Sequence, residues 1–186
     1  MRVSKLMQTN LVLASEEATF ETLLGKIGLL APRQIYVVKE GLKLVGIVTG
    51  YDLLKIVKPF YLDSKLARTI PESEMDGFLV KCIEKVKNVK AKDIMITDFV
   101  FLKPEDHTME AEALIVERGL NALPVLNEDK RILGEISRRE ILTYFAKIYE
   151  KYSLDLFNKF ELKNIQTEEH IQKCYEELQK EAKGGN

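Results

Sequence analysis

Two carboxylates, Asp52 and Glu140, stand in matching surroundings. Each closes a seven-residue phrase, Gly46-Ile47-Val48-Thr49-Gly50-Tyr51-Asp52 and Gly134-Glu135-Ile136-Ser137-Arg138-Arg139-Glu140, with a hydroxyl residue three positions before the acid. At the start of a helix this spacing is a capping box: the hydroxyl and the acid each satisfy an orphan backbone N–H, and no ligand is needed. The chemistry on offer is hydrogen-bond acceptance. The chain shows no nucleophile–base pairing, no Walker loop and no Gly-x-Gly-x-x-Gly, so catalysis is not expected. His107 and His170 lack partners at metal-ligand spacing, and no metal site is expected. Cys82 and Cys174 fall on apolar stripes and read as small core residues, too few and too distant for a disulfide framework.

Both phrases run from a β-branched stretch into an amphipathic one, so each acid should sit at a strand-to-helix junction. The copies lie 88 residues apart, Gly46 to Gly134. Lys5-Leu6-Met7 matches Asp93-Ile94-Met95 at this offset, and Ile35-Tyr36-Val37-Val38 matches Leu123-Pro124-Val125-Leu126. Thr19-Phe20-Glu21 matches Thr108-Met109-Glu110 at 89, as though one residue had been gained. Two units of about 55 residues are too few for a solenoid but suit a pseudo-two-fold pair.

In the first unit, residues 1–9 predict a short helix and 11–13 a short strand. Thr19 is a helix N-cap for 20–30, which Pro32 stops. Strands 35–39 and 44–49 form a hairpin across Glu40-Gly41, and a helix follows to about residue 57. The second unit repeats this order: an opening turn at 91–95, strand 99–102 and helix 109–118, with Met109, Ala113 and Val116 on one face and Gly119 as its stop. Strands 121–126 and 131–137 come next, then a closing helix from 138 to about 150. Each unit is therefore β-α-β-β-α. Between them, Met75, Phe78, Leu79, Cys82, Ile83 and Val86 recur at helical spacing, and this helix is expected to pack across the two units. After residue 150, Thr167 opens a further helix with a narrow stripe of Ile171, Cys174, Tyr175 and Leu178, which should dock on the body or on a second subunit. The expected organisation is 1–58, a helical linker over 59–90, 91–150 and a helical tail over 151–186.

These features, two copies in register above all, resemble a tandem CBS-domain pair, or Bateman module, over residues 1–150. The resemblance implies two motifs packed sheet to sheet around a pseudo-two-fold axis, with two clefts that commonly take adenosine-containing ligands: AMP, ADP, ATP or S-adenosylmethionine. By that resemblance Asp52 and Glu140 would accept hydrogen bonds from a ribose diol, as charge-assisted bonds suit, and Thr49 and Ser137 would bond ribose or phosphate. Groups around Asn10, Leu11 and Val12 and around Gln34, Ile35 and Tyr36 would hold the base in one cleft. Thr97, Asp98, Phe99 and Val100 with Asn121, Ala122 and Leu123 would hold it in the other. Arg33, Arg138 and Arg139 are phosphate candidates, since guanidinium forks match phosphate oxygens; solvated arginines paired to nearby acids are the alternative. Glu is the better capping-box acid and the family's usual ribose acceptor is Asp, which favours one working cleft over two. Tyr36 stands where the family often has Pro.

With 46% hydrophobic residues among 186, and 28 basic against 29 acidic side chains, the chain can bury a core and carries no basic excess for nucleic acid. Its N-terminus lacks a signal-peptide run, no stretch is apolar enough to span a bilayer, and a cytoplasmic protein is expected. The leading reading is a non-enzymatic nucleotide sensor that signals to a protein partner, works as a homodimer, and binds neither nucleic acid nor membrane. The rival is a ligand-free scaffold in which both acids only cap helices. A nucleic-acid or membrane role for the tail is disfavoured by its mixed charge.

Overall fold

The computed structural model describes residues 1–59, 62, 65 and 68–152. The chain divides into two compact units, 1–142 and 143–186; all that follows concerns the first. The tail helix expected from Thr167, with Cys174 and His170, lies outside the described residues. No described helix is long and apolar enough to cross a membrane.

After a turn of 3₁₀ helix at Val3–Lys5 come β1 (Leu13–Ser15), α1 (Phe20–Leu30), β2 (Gln34–Lys39), β3 (Lys43–Thr49) and α2 (Gly50–Val57). Helix α3 (Glu72–Val86) and the short α4 (Ala91–Ile94) lead to α5 (Thr108–Arg118), β4 (Ala122–Leu126), β5 (Ile132–Ser137) and α6 (Arg138–Tyr152). In the first sheet β1 pairs parallel to β2, and β2 antiparallel to β3 with Gln34 opposite Thr49 and a bulge between Val37 and Val38. The second sheet puts Ala122 opposite Ser137 and its bulge between Val125 and Leu126. Register and bulge both recur after 88 residues.

That offset holds throughout, which corrects the expected one-residue gain. Helix α1 spans Phe20–Leu30 and α5 spans Thr108–Arg118, so the counterpart of the N-cap Thr19 is His107. Thr19 caps α1 by accepting from the Thr22 N–H; His107 makes no side-chain cap, and the Thr108 hydroxyl donates instead to the Met1 carbonyl. At the other end Ala31 takes the left-handed conformation (φ 44°) that Gly119 takes in the repeat (φ 64°). Glycine adopts it freely, alanine at a cost.

One expected strand is absent. Residues 99–102 contribute a single parallel bridge, Leu102 with Val125. In the first motif the Tyr36 N–H donates to the Val12 carbonyl at 2.9 Å; its counterpart, Pro124, has no N–H to offer Val100. The expected strand at 11–13 also begins later, at Leu13, because Val12 gives only that carbonyl.

The opening segments are exchanged between motifs. Gln8 forms a two-way backbone pair with Glu135 of β5, and Ile96 the matching pair with Ile47 of β3, all at 2.8–3.0 Å. Arg2 likewise bridges His107, and Lys90 bridges Thr19. This crossing explains the phrase glycines. A Cβ on Gly134 would lie 2.6 Å from the Gln8 carbonyl, and one on Gly46 would strike the Met95 side chain. Glycine is needed for close approach, not for a turn.

One core cluster fills the first motif with Phe20, Leu23, Ile35, Val37, Val48 and Leu53, joined by Ala91 from α4. Another lies between the sheets, where Tyr36, Leu44 and Ile47 meet Leu126 and Ile132. Helix α3 was expected to pack across the motifs. It packs against α2, with Ile83 and Val86 in the first motif's core, tethered where Phe20 N–H donates to the Val89 carbonyl at 2.7 Å. Met109, Ala113 and Val116 do share a face of α5, but it is the exposed one; Thr108, Ala111 and Ile115 face inward.

Candidate functional site: two clefts of opposite character

The crossing assigns each cleft walls from both motifs. Cleft I, a cavity of 590 Å³, is lined from the first motif by Asn10, Leu11, Val12, Leu13, Lys26, Leu30, Ala31, Pro32, Arg33 and Gln34, and from the second by Glu135 and Arg139. Cleft II, 340 Å³, reverses this: Asp98, Phe99, Val100, Arg118, Leu120, Ala122, Leu123 and Pro124 face Gln34, Ile47, Thr49 and Ile96. Gln34 belongs to both walls.

In cleft I the carboxylates are engaged by neighbouring side chains. Arg33 forks between two carboxylates of the second motif, donating from Nη1 to Glu135 Oε1 at 2.8 Å and from Nη2 to Glu140 Oε1 at 3.0 Å. The other Glu135 oxygen accepts from the Tyr36 hydroxyl at 2.6 Å, and that hydroxyl accepts from Gln34 Nε2 at 2.7 Å. Glu140 Oε2 closes the capping box, taking the Ser137 N–H at 3.0 Å and the Ser137 hydroxyl. Burial first, then the charge and hydrogen bond of Glu135, push the Tyr36 phenol well above the usual tyrosine range, so it stays a donor. All four carboxylate oxygens are occupied. Glu140 has a partner on each oxygen.

Beside Thr49 of cleft II, Asp52, which does not itself line the cavity, also forms a capping box, with Oδ2 accepting the Thr49 N–H at 2.8 Å and the Thr49 hydroxyl at 2.6 Å. Its Oδ1 has no partner among the described residues. The counterpart of Arg33 here is Asn121, too short to fork between acids, and the counterpart of Glu135 is Ile47. Cleft II keeps an unspent acceptor beside Thr49.

Of the residues singled out in the sequence, Asn10, Leu11, Val12, Arg33, Gln34 and Arg139 reach cleft I, and Gln34, Thr49, Asp98, Phe99, Val100, Ala122 and Leu123 reach cleft II. Ile35 is fully buried in the first motif's core, and Tyr36 between the sheets. Ser137 is buried beneath its capping box. Thr97, Asn121 and the two acids Asp52 and Glu140 line neither cavity, the acids standing next to them through Thr49 and Arg33. Arg138 bonds the carbonyls of Leu120 at 2.6 Å and Gly119 at 3.1 Å, a cation closing the end of α5 where the helix dipole favours it. Unforeseen were Glu135, Lys26 and Arg118. The first followed from the crossing, which pairing of identical offsets alone does not reveal; Lys26 lies on α1 and Arg118 ends α5. His107 is exposed, and Cys82 is buried and free. Among the described residues no three His, Cys, Asp or Glu side chains converge as metal ligands would.

The model of the family described as CBS domain matches residues 3–59 and 91–147, one match per motif. The chain is a CBS-domain protein. It is 32% identical over 114 residues to the uncharacterized protein MJ1225 of Methanocaldococcus jannaschii, a match covering 61% of this chain and 36% of the relative. The chain thus spans about a third of that relative's length. Among solved structures, CBSX2, known from Arabidopsis thaliana, in complex with AMP superposes with a TM-score of 0.61 at 20% identity, covering 79% of this chain and 97% of that one. The CBS domain pair of MJ0100, in complex with 5′-methylthioadenosine and S-adenosylmethionine, gives 0.59 at 14% identity, over 80% and 98%. At these identities the likeness establishes the fold: a tandem CBS pair.

Proposed function

We propose that this CBS pair is a regulatory module that takes an adenosine-containing ligand (AMP, ADP, ATP or S-adenosylmethionine) in cleft II. One observation carries the reading: Asp52 keeps a carboxylate oxygen unspent, whereas every oxygen of Glu140 is engaged. Oδ1 would accept from the ribose hydroxyls while Oδ2 holds the helix start. Phe99, Val100, Ala122 and Leu123 supply an apolar wall for the base. The solved relatives that hold AMP and S-adenosylmethionine support the ligand class. The module acts without catalysis: because each cleft has walls from both motifs, a ligand that prefers one inter-motif geometry biases it and passes the signal to a protein partner. A homodimer is the working form we favour. Its support is apolar surface left uncovered on outer helix faces, with Tyr51 and Leu54 of α2 and Met109 and Val116 of α5 each 60–73% exposed.

The test is a thermal-shift panel of AMP, ADP, ATP and S-adenosylmethionine with GTP as control. At about 100 times its dissociation constant a ligand adds about 2.7 kcal/mol, a rise of several degrees. Asp52→Asn keeps an oxygen for Thr49 but offers the ribose an amide, so it should abolish the shift with the free protein's midpoint little changed. A shift that survives Asp52→Asn removes Asp52 from the site. A flat panel on folded protein favours the second reading, a scaffold whose acids cap helices, which the two complete capping boxes support.

A further inference from the structure

We infer that cleft I is a site for a phosphate-rich anion that brings no nucleoside. Three cationic side chains, Lys26, Arg33 and Arg139, line this one cavity. Neither Lys26 nor Arg139 has a side-chain hydrogen bond or ion pair among the described residues. Arg33 uses one N–H on each of two carboxylates and retains three of its five donors. The acids facing the cavity do not cancel this. Each oxygen of Glu135 and of its neighbour Glu140 already accepts from Arg33, Tyr36 or Ser137, and the five charged groups together are one unit positive. Unpaired cations in a shared concavity raise the local concentration of anions, and guanidinium forks match phosphate oxygens.

The same bonds exclude a nucleoside. The carboxylate that would take the ribose diol is spent on Arg33 and Ser137, and Tyr36 fills the space between the sheets. Cleft II has the reverse pattern: Arg118 is balanced by Asp98, and Asp52 adds a further negative charge beside Thr49. The two ligand classes are sorted by charge as well as by hydrogen bonding. This inference concerns a different cavity from the nucleoside reading and does not rest on it.

Titration calorimetry of the full chain with inorganic tripolyphosphate tests it, with adenosine titrated separately. Tripolyphosphate should bind the native chain. Lys26→Gln and Arg139→Gln should each weaken it about tenfold, the worth of one charge-assisted hydrogen bond, with unchanged melting midpoints because neither side chain has a partner to lose. Lys26→Arg should retain binding. Saturation with adenosine should leave the tripolyphosphate affinity unaltered. In an Asp52→Asn background ATP should bind no more tightly than tripolyphosphate. The inference is overturned by no binding to the native chain, by undiminished affinity in both glutamine variants, by displacement with adenosine, or by tighter binding of ATP in that background. Failure of the nucleoside reading would show instead in the adenosine titration.

Discussion

Around cleft I stand Arg33, Gln34, Tyr36 and Glu135; the positions 88 residues away, around cleft II, hold Asn121, Ala122, Pro124 and Ile47. The backbone of the two is the same: equal register, equal bulges, equal crossing of the opening segments. The side chains that differ on this duplicated frame give one cleft a network of Arg33, Tyr36 and Glu135 and leave the other without it, with an open acceptor on Asp52. Symmetry of fold therefore does not imply symmetry of hydrogen bonding. The scaffold supplies positions, and the side chains at those positions decide what can enter.

The comparison is broken most directly at Glu135. Replacing it with alanine leaves the buried Tyr36 hydroxyl without its acceptor and Arg33 with one carboxylate. The expected cost is about 3 kcal/mol, the low end for breaking a buried pair because Arg33 is about a third exposed. Urea denaturation measures it; a loss under about 1 kcal/mol would mean the network does not tie the motifs together. The paired glycines come next. Gly134→Ala drives a methyl into the Gln8 carbonyl and must part the backbone pair with Glu135, costing about 2–3 kcal/mol. Gly46→Ala meets chiefly the Met95 thioether, which can swing aside in part, for about 1 kcal/mol. Equal costs would show that backbone and side-chain obstacles are equivalent here. The smallest effect lies at the helix ends. Ala31→Gly should stabilise by about 0.5–1 kcal/mol and Gly119→Ala destabilise by about 1, opposite signs at one repeated left-handed position, read from thermal melts.

Much of the fold was legible because it rests on local rules. Thr19, Gly119 and the two Thr/Ser-x-x-acid phrases mark helix ends by short-range hydrogen bonds, and the 88-residue repeat announces a paired architecture. The missing strand at 99–102 was in principle readable too, since Pro124 has no N–H; a strand pattern alone does not report what its neighbour can donate. Helix α3 has a stripe that any apolar partner would satisfy, so its place against α2 depended on the tether at Val89.

The sites divide the same way. By itself the amino-acid order determined that this chain is a tandem CBS pair and that its acids begin helices. Only the tertiary structure decided which walls face each other, because the opening segments cross and no local signal encodes a pairing of Gln8 with Glu135. That crossing brings Arg33 within 3.0 Å of a glutamate 107 positions along the chain. Whether a carboxylate is free or spent depends on what distant residue reaches it, and that is a property of three dimensions.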